Sequence, residues 1–384
     1  MRLVCLEPSN PGTAWQPFTG VRPVAELRAG AWRIRDRWAA VFGATEVAVL
    51  GEHVTGFTDA DTVPVISNRV VRGPAIVARS DFVPRPTLVR DTDLRRLVHG
   101  DSTVAWIVPE GEQWKEDGGG PSRGIDGMHL AGAWELISAL EQLLPGDVDI
   151  GGQEADPVPS GSIVLGDPRR VQCVGAEVEP GVIFEVRHGA VVLEPGVKVA
   201  SGTRLEGPLF VAEHSVLLGG AIRHSAIGPH CKVHGEISSS VFLGYANKSH
   251  DGFLGHSVIG QWVNLGAGTI TSNLKNTYGE VRLDLPGERI STGRTNLGTL
   301  FGDHAKTGIG TLLSTGTVIG AGAHVLPPAP PRYVAPFSWG GSSGERLDRE
   351  GFISIAKRVM PRRQVEVTPE IEASLRALHA RLCR

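Results

Sequence analysis

From Val191 the chain divides into sixes: VVLEPG, VKVASG, TRLEGP, LFVAEH, SVLLGG, AIRHSA, IGPHCK, VHGEIS and SSVFLG. A second run, FGDHAK, TGIGTL, LSTGTV and IGAGAH, covers Phe301 to His324. The first and third positions of each six are mostly aliphatic or small. A repeat this short is the signature of a β-solenoid, in which each unit buries its apolar face against its neighbours, rather than of an ordinary β-sandwich. Each six supplies a short flat strand and a corner, and three sixes close one triangular coil. The aliphatic side chain points into the prism, and glycine relieves crowding at the corner. Glycine is 50 of 384 residues, about twice ordinary usage, with no collagen period, as many tight turns require.

The register slips around Lys248-Ser249-His250-Asp251-Gly252-Phe253-Leu254-Gly255-His256 and resumes through Ile259-Gly260-Gln261-Trp262-Val263-Asn264-Leu265-Gly266-Ala267-Gly268-Thr269. This stretch sets a histidine, a lysine and an asparagine beside a glycine-rich turn. Residues 272–300 interrupt the repeat with a polar, partly basic insertion, and solenoid insertions project as loops from one face. Pro327, Pro328, Pro330 and Pro331 stop the coil. Helices are expected over Glu345–Met360 and Thr368–Cys383, the second opened by Thr368-Pro369. The basic run Lys357 to Arg363 is either a solvated face or a contact for a cofactor phosphate.

The first half has different patterning. Leu3–Leu6, Glu46–Leu50, Ala75–Ala78 and Thr103–Val108 are strand candidates. Val24, Leu27, Ala31, Ile34, Trp38 and Val41 recur every three or four residues, so one helix face is expected from Pro23 to a stop at Gly43. Trp134–Leu144 reads as a helix ended by Pro145-Gly146. Alternating strands and helices predict an α/β unit with a mostly parallel sheet over 1–155. Residues 147–162 read as a linker, 160–335 as the β-helix and 336–384 as a helical tail.

Net charge is −3, from 38 basic and 41 acidic residues, which gives no general attraction to nucleic acid or an anionic membrane. Cys5, Cys173, Cys231 and Cys383 form no CxxC pair or metal-ligand spacing, and idle thiols in a reducing compartment are expected. No apolar run is long enough to span a bilayer, so a soluble cytoplasmic protein is expected.

The hexads and the phrase Asn264-Leu265-Gly266-Ala267-Gly268-Thr269-Ile270-Thr271-Ser272-Asn273 resemble the acetyltransferase half of the bifunctional enzymes that make UDP-N-acetylglucosamine. Nearly the whole chain is similar to a shorter, GlmU-like variant, the sugar nucleotidyltransferase family resembling those enzymes. Thr19 to Arg28, Gly244 to His256, Asn273 to Asn276, Phe301 to Ile309 and Phe337 to Gly341 carry that likeness. The resemblance implies a nucleotidyltransferase-like α/β domain, then a left-handed parallel β-helix that forms a homotrimer, with acyl-CoA along the groove between two coils. It makes His250 the base and Asn264 and Asn273 substrate contacts. It also makes Ala267 a position whose backbone meets the thioester region, within the Gly266-Ala267-Gly268 turn.

Two departures matter. The family's aromatic hydroxyl three residues after the histidine is Phe253, and the lysine expected near Ser238 and Ser239 to hold a sugar phosphate is missing. Lys248, Lys232 and Arg223 are candidates to replace it. The phosphate loop of full uridyltransferases is reduced at Glu7 to Trp15 to the single Gly12. There, Arg22 is a candidate phosphate contact and Asp81, after a strand, a candidate ligand for Mg²⁺. Asp303-His304-Ala305-Lys306 belongs to the likeness without an assigned role.

N-acylation of an amino sugar needs a deprotonated amine, a held thioester and donors for the oxyanion. A histidine suits the first at neutral pH, and backbone N–H groups of a glycine-rich turn suit the last. The expected activity is acetyl transfer from acetyl-CoA to a hexosamine phosphate or nucleotide-linked amino sugar. Two alternatives stay open. One is UTP- and Mg²⁺-dependent nucleotidyl transfer, with the β-helix only trimerising. The other is a non-catalytic sugar-nucleotide-binding scaffold.

Overall fold

The computed structural model describes residues 1–9, 11–51, 63–91, 93–149, 156–327, 329–340 and 344–383. Its first part is an α/β unit. Strands β1 (Arg2–Leu6), β2 (Glu46–Leu50), β3 (Val65–Ile66), β4 (Ala75–Arg79), β5 (Arg96–His99), β6 (Ser102–Val108) and β7 (Ser122–Gly124) form one sheet in the order β7-β5-β6-β4-β1-β2-β3. β1 is central and parallel to both β2 and β4, whereas β6 runs antiparallel to β4 and to β5. The expected mostly parallel sheet is thus a mixed one.

Two helix readings need correction. The apolar spacing from Val24 to Val41 is real, and all six side chains are buried, but only Ile34–Phe42 is α-helical (α1). Val24–Glu26 is a 3-10 turn, and Arg28–Ala29 pairs with Trp32–Arg33 in a tight hairpin. Gly30 makes that hairpin: its φ is +67°, and a Cβ there would lie 2.2 Å from Asp147 Oδ2. A left-handed glycine breaks the helix that the spacing alone predicts. At its other end α1 stops at left-handed Gly43, as expected. The second helix, α2 (Glu135–Val148), continues through Pro145 for another turn. That turn is anchored because the buried Asp147 accepts from Ala31 N at 2.8 Å and pairs with Arg37. Of the linker expected over 147–162, residues 150–155 lie outside the described residues.

The second part is a parallel β-solenoid of the left-handed β-helix type. One ladder stacks nine short strands, from Val171–Cys173 to Tyr333–Val334, all parallel. The coil begins earlier than the clear hexads, at Ile163–Leu165, which pairs with Ile183–Glu185. Its interior is a column of Val, Leu, Ile and Phe with no solvent exposure, including Phe184, Leu217, Val233, Ile259 and Phe301.

One corner column is unusual. His214, His230, Tyr245, Trp262 and His304 all take φ between 55° and 61°. Their rings stack coil upon coil, with centroids 5.1, 5.0, 4.4 and 6.1 Å apart. Left-handed backbone costs a non-glycine residue about 1–2 kcal/mol. An aromatic pair contributes about 0.5–1.5 kcal/mol beyond burial, so the four stacked pairs offset part of the strain at the five corners.

The insertion over 272–300 contains an antiparallel hairpin, Arg282–Leu285 with Glu288–Ser291, and it ties the two parts together. Arg294 donates to Ser138 Oγ at 2.6 Å and to Glu141 Oε1 at 2.7 Å, both on α2, and Thr13 bonds Glu288. Leu283 and Leu297 share one apolar core with Leu140, Trp38, Phe210 and Leu243, so sheet unit and solenoid are not separately packed. Helices α3 (Arg349–Val359) and α4 (Pro369–Leu382) follow the coil, N-capped by Asp348 and Thr368. Phe352 of α3 seals the corner stack edge-on at His304 and Phe337.

Candidate functional site

The focal stretch folds as a corner between two strands, Asn247–Lys248 and Phe253–Gly255. His250 stands at its outer edge, exposed. Gly252 permits the turn: its φ is +134°, and an added Cβ would sit 2.2 Å from Thr269 O of the next coil. Lys248 is the unexpected member. In register it follows Val199, Leu217 and Val233, the inward column, and it is 1% exposed. Its ammonium lies inside the prism, donating to His234 O at 3.2 Å and to the carbonyl of His250. Burial pulls its pKa down to about 8. Lys248 therefore points inward, away from the outer edge where His250 stands. It holds the backbone that carries His250.

The next corner stacks directly on this one, with Gly268 N donating to Asp251 O at 3.0 Å. Adjacent coils stack about 4.8 Å apart. In the Gly266-Ala267-Gly268 turn, Gly266 N is bonded to Thr307 O at 3.1 Å and Gly268 N to Asp251 O. Ala267 N–H has no protein acceptor among the described residues. The glycine-rich turn thus offers one amide, that of Ala267, rather than three.

Beside His250 lies a cavity of about 480 Å³ lined by Asn247, Asn264, Trp262, Lys232, Lys306, Arg362 and Arg363, with no carboxylate in its wall among the described residues. Asn264 Oδ1 accepts from Asn247 Nδ2 at 2.9 Å, and Asn247 Oδ1 accepts from Ser249 Oγ at 2.7 Å and Arg363 Nη2 at 3.3 Å. The basic tail run therefore does reach the site. Arg363 is fixed by donating to His230 O at 3.1 Å. Lys306 aligns with Asn264 on the next coil, and among the described residues its ammonium makes a single 3.4 Å bond, to His304 O. Burial lowers its pKa to about 8. A cation held without a carboxylate is a natural partner for an anion. Sequence reasoning noticed its string, Asp303 to Lys306, but could not tell which side of the strand each residue faces.

The other candidates lie elsewhere. Asn273 bonds His256 Nδ1 at 2.7 Å, and His256 faces Glu141 of α2. Arg223 pairs with Glu236 at 2.6 Å and bonds Ser238 Oγ at 3.3 Å, outside the cavity. Arg22 is turned into the domain junction, where Nε and Nη2 reach Asp303 Oδ2 at 2.9 and 2.7 Å with both side chains buried. Asp81 follows β4 as expected, but both of its oxygens are taken by Arg79, at 2.9 and 2.7 Å. Among the described residues no three His, Cys, Asp or Glu side chains gather to hold a metal, and the Asp81 carboxylate is held by Arg79.

At the end of β1 the reduced phosphate loop is filled from within. Glu7 accepts from Val24 N at 2.6 Å and Ala25 N at 3.1 Å, the amides opening the 3-10 turn. Desolvation raises its pKa to about 7. The cavity it shares with Pro8, Trp15, Thr19 and Arg22 measures about 20 Å³. That volume suits a single water.

Residues 5–152 match a family described as sugar nucleotidyl transferase. The chain is 40% identical over 94 residues to a bifunctional sugar-1-phosphate nucleotidylyltransferase/acetyltransferase of Sulfurisphaera tokodaii, covering 24% of this chain and 23% of that protein. It is 25% identical over 224 residues to the bifunctional protein GlmU of Nostoc sp., covering 52% and 43%. Against GlmU of Chromobacterium violaceum it is 23% identical over 315 residues, covering 68% and 64%. Matches at 30% identity or more, to the Sulfurisphaera tokodaii protein and to the GlmU proteins of Methanocaldococcus jannaschii and Methanococcus vannielii, span under a quarter of those three relatives, 23%, 21% and 20%. Together these matches bear out the GlmU-like resemblance.

Proposed function

We propose that this GlmU-like chain is a transferase of sugar-nucleotide biosynthesis whose working site is the His250 corner, and that it acetylates an amino sugar from acetyl-CoA. The observation that carries the reading is one cavity joining an exposed imidazole, an asparagine pair and four cationic side chains without an acid. The CoA phosphates bind Lys306, Lys232, Arg362 and Arg363, with the thioester reaching the corner. The sugar hydroxyls meet Asn264 and Asn247. His250 takes the proton as the amine nitrogen attacks the thioester carbonyl, Ala267 N–H meets the oxyanion, and the CoA thiolate leaves. Asn273 is then a support for His256, not a substrate contact.

We also propose a homotrimer, with the sites between neighbouring chains. Ile270, Ile309 and Leu312, on the coils beyond Ala267, are 42%, 78% and 56% exposed, an apolar strip that a second chain would cover.

A second reading is UTP-dependent nucleotidyl transfer by the first unit, favoured by the family match over 5–152. The Glu7 carboxylate beside that loop, held by the Val24 and Ala25 amides, and the buried Arg22 oppose it. One experiment separates the two: thiol release from acetyl-CoA with hexosamine phosphates, run beside pyrophosphate release from UTP with sugar 1-phosphates. Acyl transfer predicts thiol release that depends on the amino sugar. Pyrophosphate release without thiol release refutes it.

A further inference from the structure

A second cavity, of about 350 Å³, lies between the Arg28–Arg33 hairpin and the solenoid. Its chemistry is opposite to that of the basic pocket. Four carboxylates, Glu26, Asp36, Glu194 and Glu213, face two guanidiniums, Arg28 and Arg33. Two of the acids are already paired, Glu26 with Arg35 at 3.0 Å and Asp36 with Arg33 at 2.6 Å. Glu194 and Glu213 lie side by side, Glu213 N donating to Glu194 Oε2 at 3.2 Å. Desolvation, reinforced by their mutual repulsion, favours a proton shared between them. Arg28 stacks 5.6 Å over the Phe210 ring and is 8% exposed.

Two wall residues carry a buried polar atom with no partner among the described residues, Arg28 Nε and Gln261 Oε1. They come from opposite sides of the cavity, one from the hairpin and one from the coil. Buried polar groups are normally satisfied, so unpaired atoms in a cavity wall mark a place a ligand completes. Trp32, Phe210 and Tyr245 supply aromatic surface. The Glu194–Glu213 pair keeps a negative charge even with one proton shared, and this disfavours a phosphate beside it. A purely apolar ligand would strand the carboxylate pair and the guanidinium. A ring with hydroxyls offers donors and acceptors at once, its C–H face packs on aromatics, and an amine answers the carboxylate pair.

We infer that this interdomain cavity binds one unphosphorylated amino-sugar ring, at a site separate from the His250 corner. The volume lies at the small end of ligand pockets, right for a monosaccharide rather than a nucleotide sugar. The site does not depend on the acyl-transfer reading.

The test is titration calorimetry of the full chain with glucosamine as probe, in the absence of CoA. Wild type should show saturable binding, and Gln261→Leu and Glu213→Gln should each weaken it at least tenfold, while Asn264→Ala should keep it. Trp32→Leu, on the other wall, should also weaken it and guards against misfolding of a solenoid variant. The inference is overturned if wild type shows no saturable binding at millimolar glucosamine. It is also overturned if Gln261→Leu and Trp32→Leu bind as wild type, or if Asn264→Ala alone abolishes binding. That last result would place the sugar in the basic pocket and leave the acyl-transfer reading standing.

Discussion

Asp303→Ala is the perturbation whose cost follows most directly from the structure. The Asp303 side chain is fully buried and its Oδ2 takes two hydrogen bonds from Arg22, which is 1% exposed in its side chain. Its Oδ1 accepts from Gln261 N at 2.8 Å. Removing the carboxylate takes from a buried guanidinium its ion-pair partner at 2.7 Å, a change worth about 3–5 kcal/mol. It also leaves a buried N–H unmade, about 1–3 kcal/mol more if no water enters. Partial relaxation makes the sum an upper bound, so a loss of about 4 kcal/mol is expected. Urea unfolding followed by tryptophan fluorescence measures it. The control is Arg22→Met with Asp303→Leu, which removes both charges and keeps the volume. It should recover at least half of the loss, because an apolar pair carries no desolvation penalty to offset. If Asp303→Ala costs less than about 1 kcal/mol, or the double variant is no better than the single, Arg22 is not locked at the junction as described. It would then be available to a nucleotide phosphate.

Other outcomes follow from the corner itself. Gly252→Ala introduces a Cβ 2.2 Å from Thr269 O at φ +134°, so kcat/KM for acetyl transfer should fall at least tenfold, with circular dichroism reporting an intact solenoid. Lys248→Met should keep or raise the melting temperature, since a buried cation gives way to an apolar chain, while lowering the rate by loosening the His250 backbone; equal loss of both would contradict a positioning role. The same lysine makes a pH prediction. Its pKa falls from 10.5 unfolded to about 8 folded, so the unfolded chain binds more protons between those values, and this group's contribution to stability rises from pH 8 to 10.5 by ~3 kcal/mol. Chemical unfolding across that range should show the rise in wild type and a smaller one in Lys248→Met. Lys306→Ala should raise KM for acetyl-CoA about tenfold with little change in kcat, an effect that shrinks as salt is added.

The repeat was legible because a solenoid writes its inside and outside at fixed positions. That code fails where chemistry intrudes. Leu217, Val233 and Lys248 share one inward column, so a lysine that reads as a substrate contact lies buried and bonds backbone carbonyls. No hexad pattern shows that the third of these points its charge at backbone carbonyls. Lys306 was hidden for a related reason: alternation shows that a strand has two sides, but not which neighbour closes over the outer one. Here the C-terminal run supplies Arg362 and Arg363 across from it. The helix expected from Val24 to Val41 failed at Gly30, whose left-handed backbone answers a contact with Asp147, more than a hundred residues away. Asn273 and Arg22 read as open to a ligand because their partners are remote in the chain. The coil stacking brings His256 to Asn273, and the docking of the first unit on the coil brings Asp303 to Arg22.

The most direct test of the central claim is the rate of CoA thiol release by His250→Ala, with acetyl-CoA and the amino sugar both saturating. Loss of the general base should lower the rate by ~10²–10⁴ while the melting temperature stays at the wild-type value, because His250 is exposed at its corner. A variant that releases thiol at the wild-type rate would show that the acyl transfer does not run through this imidazole.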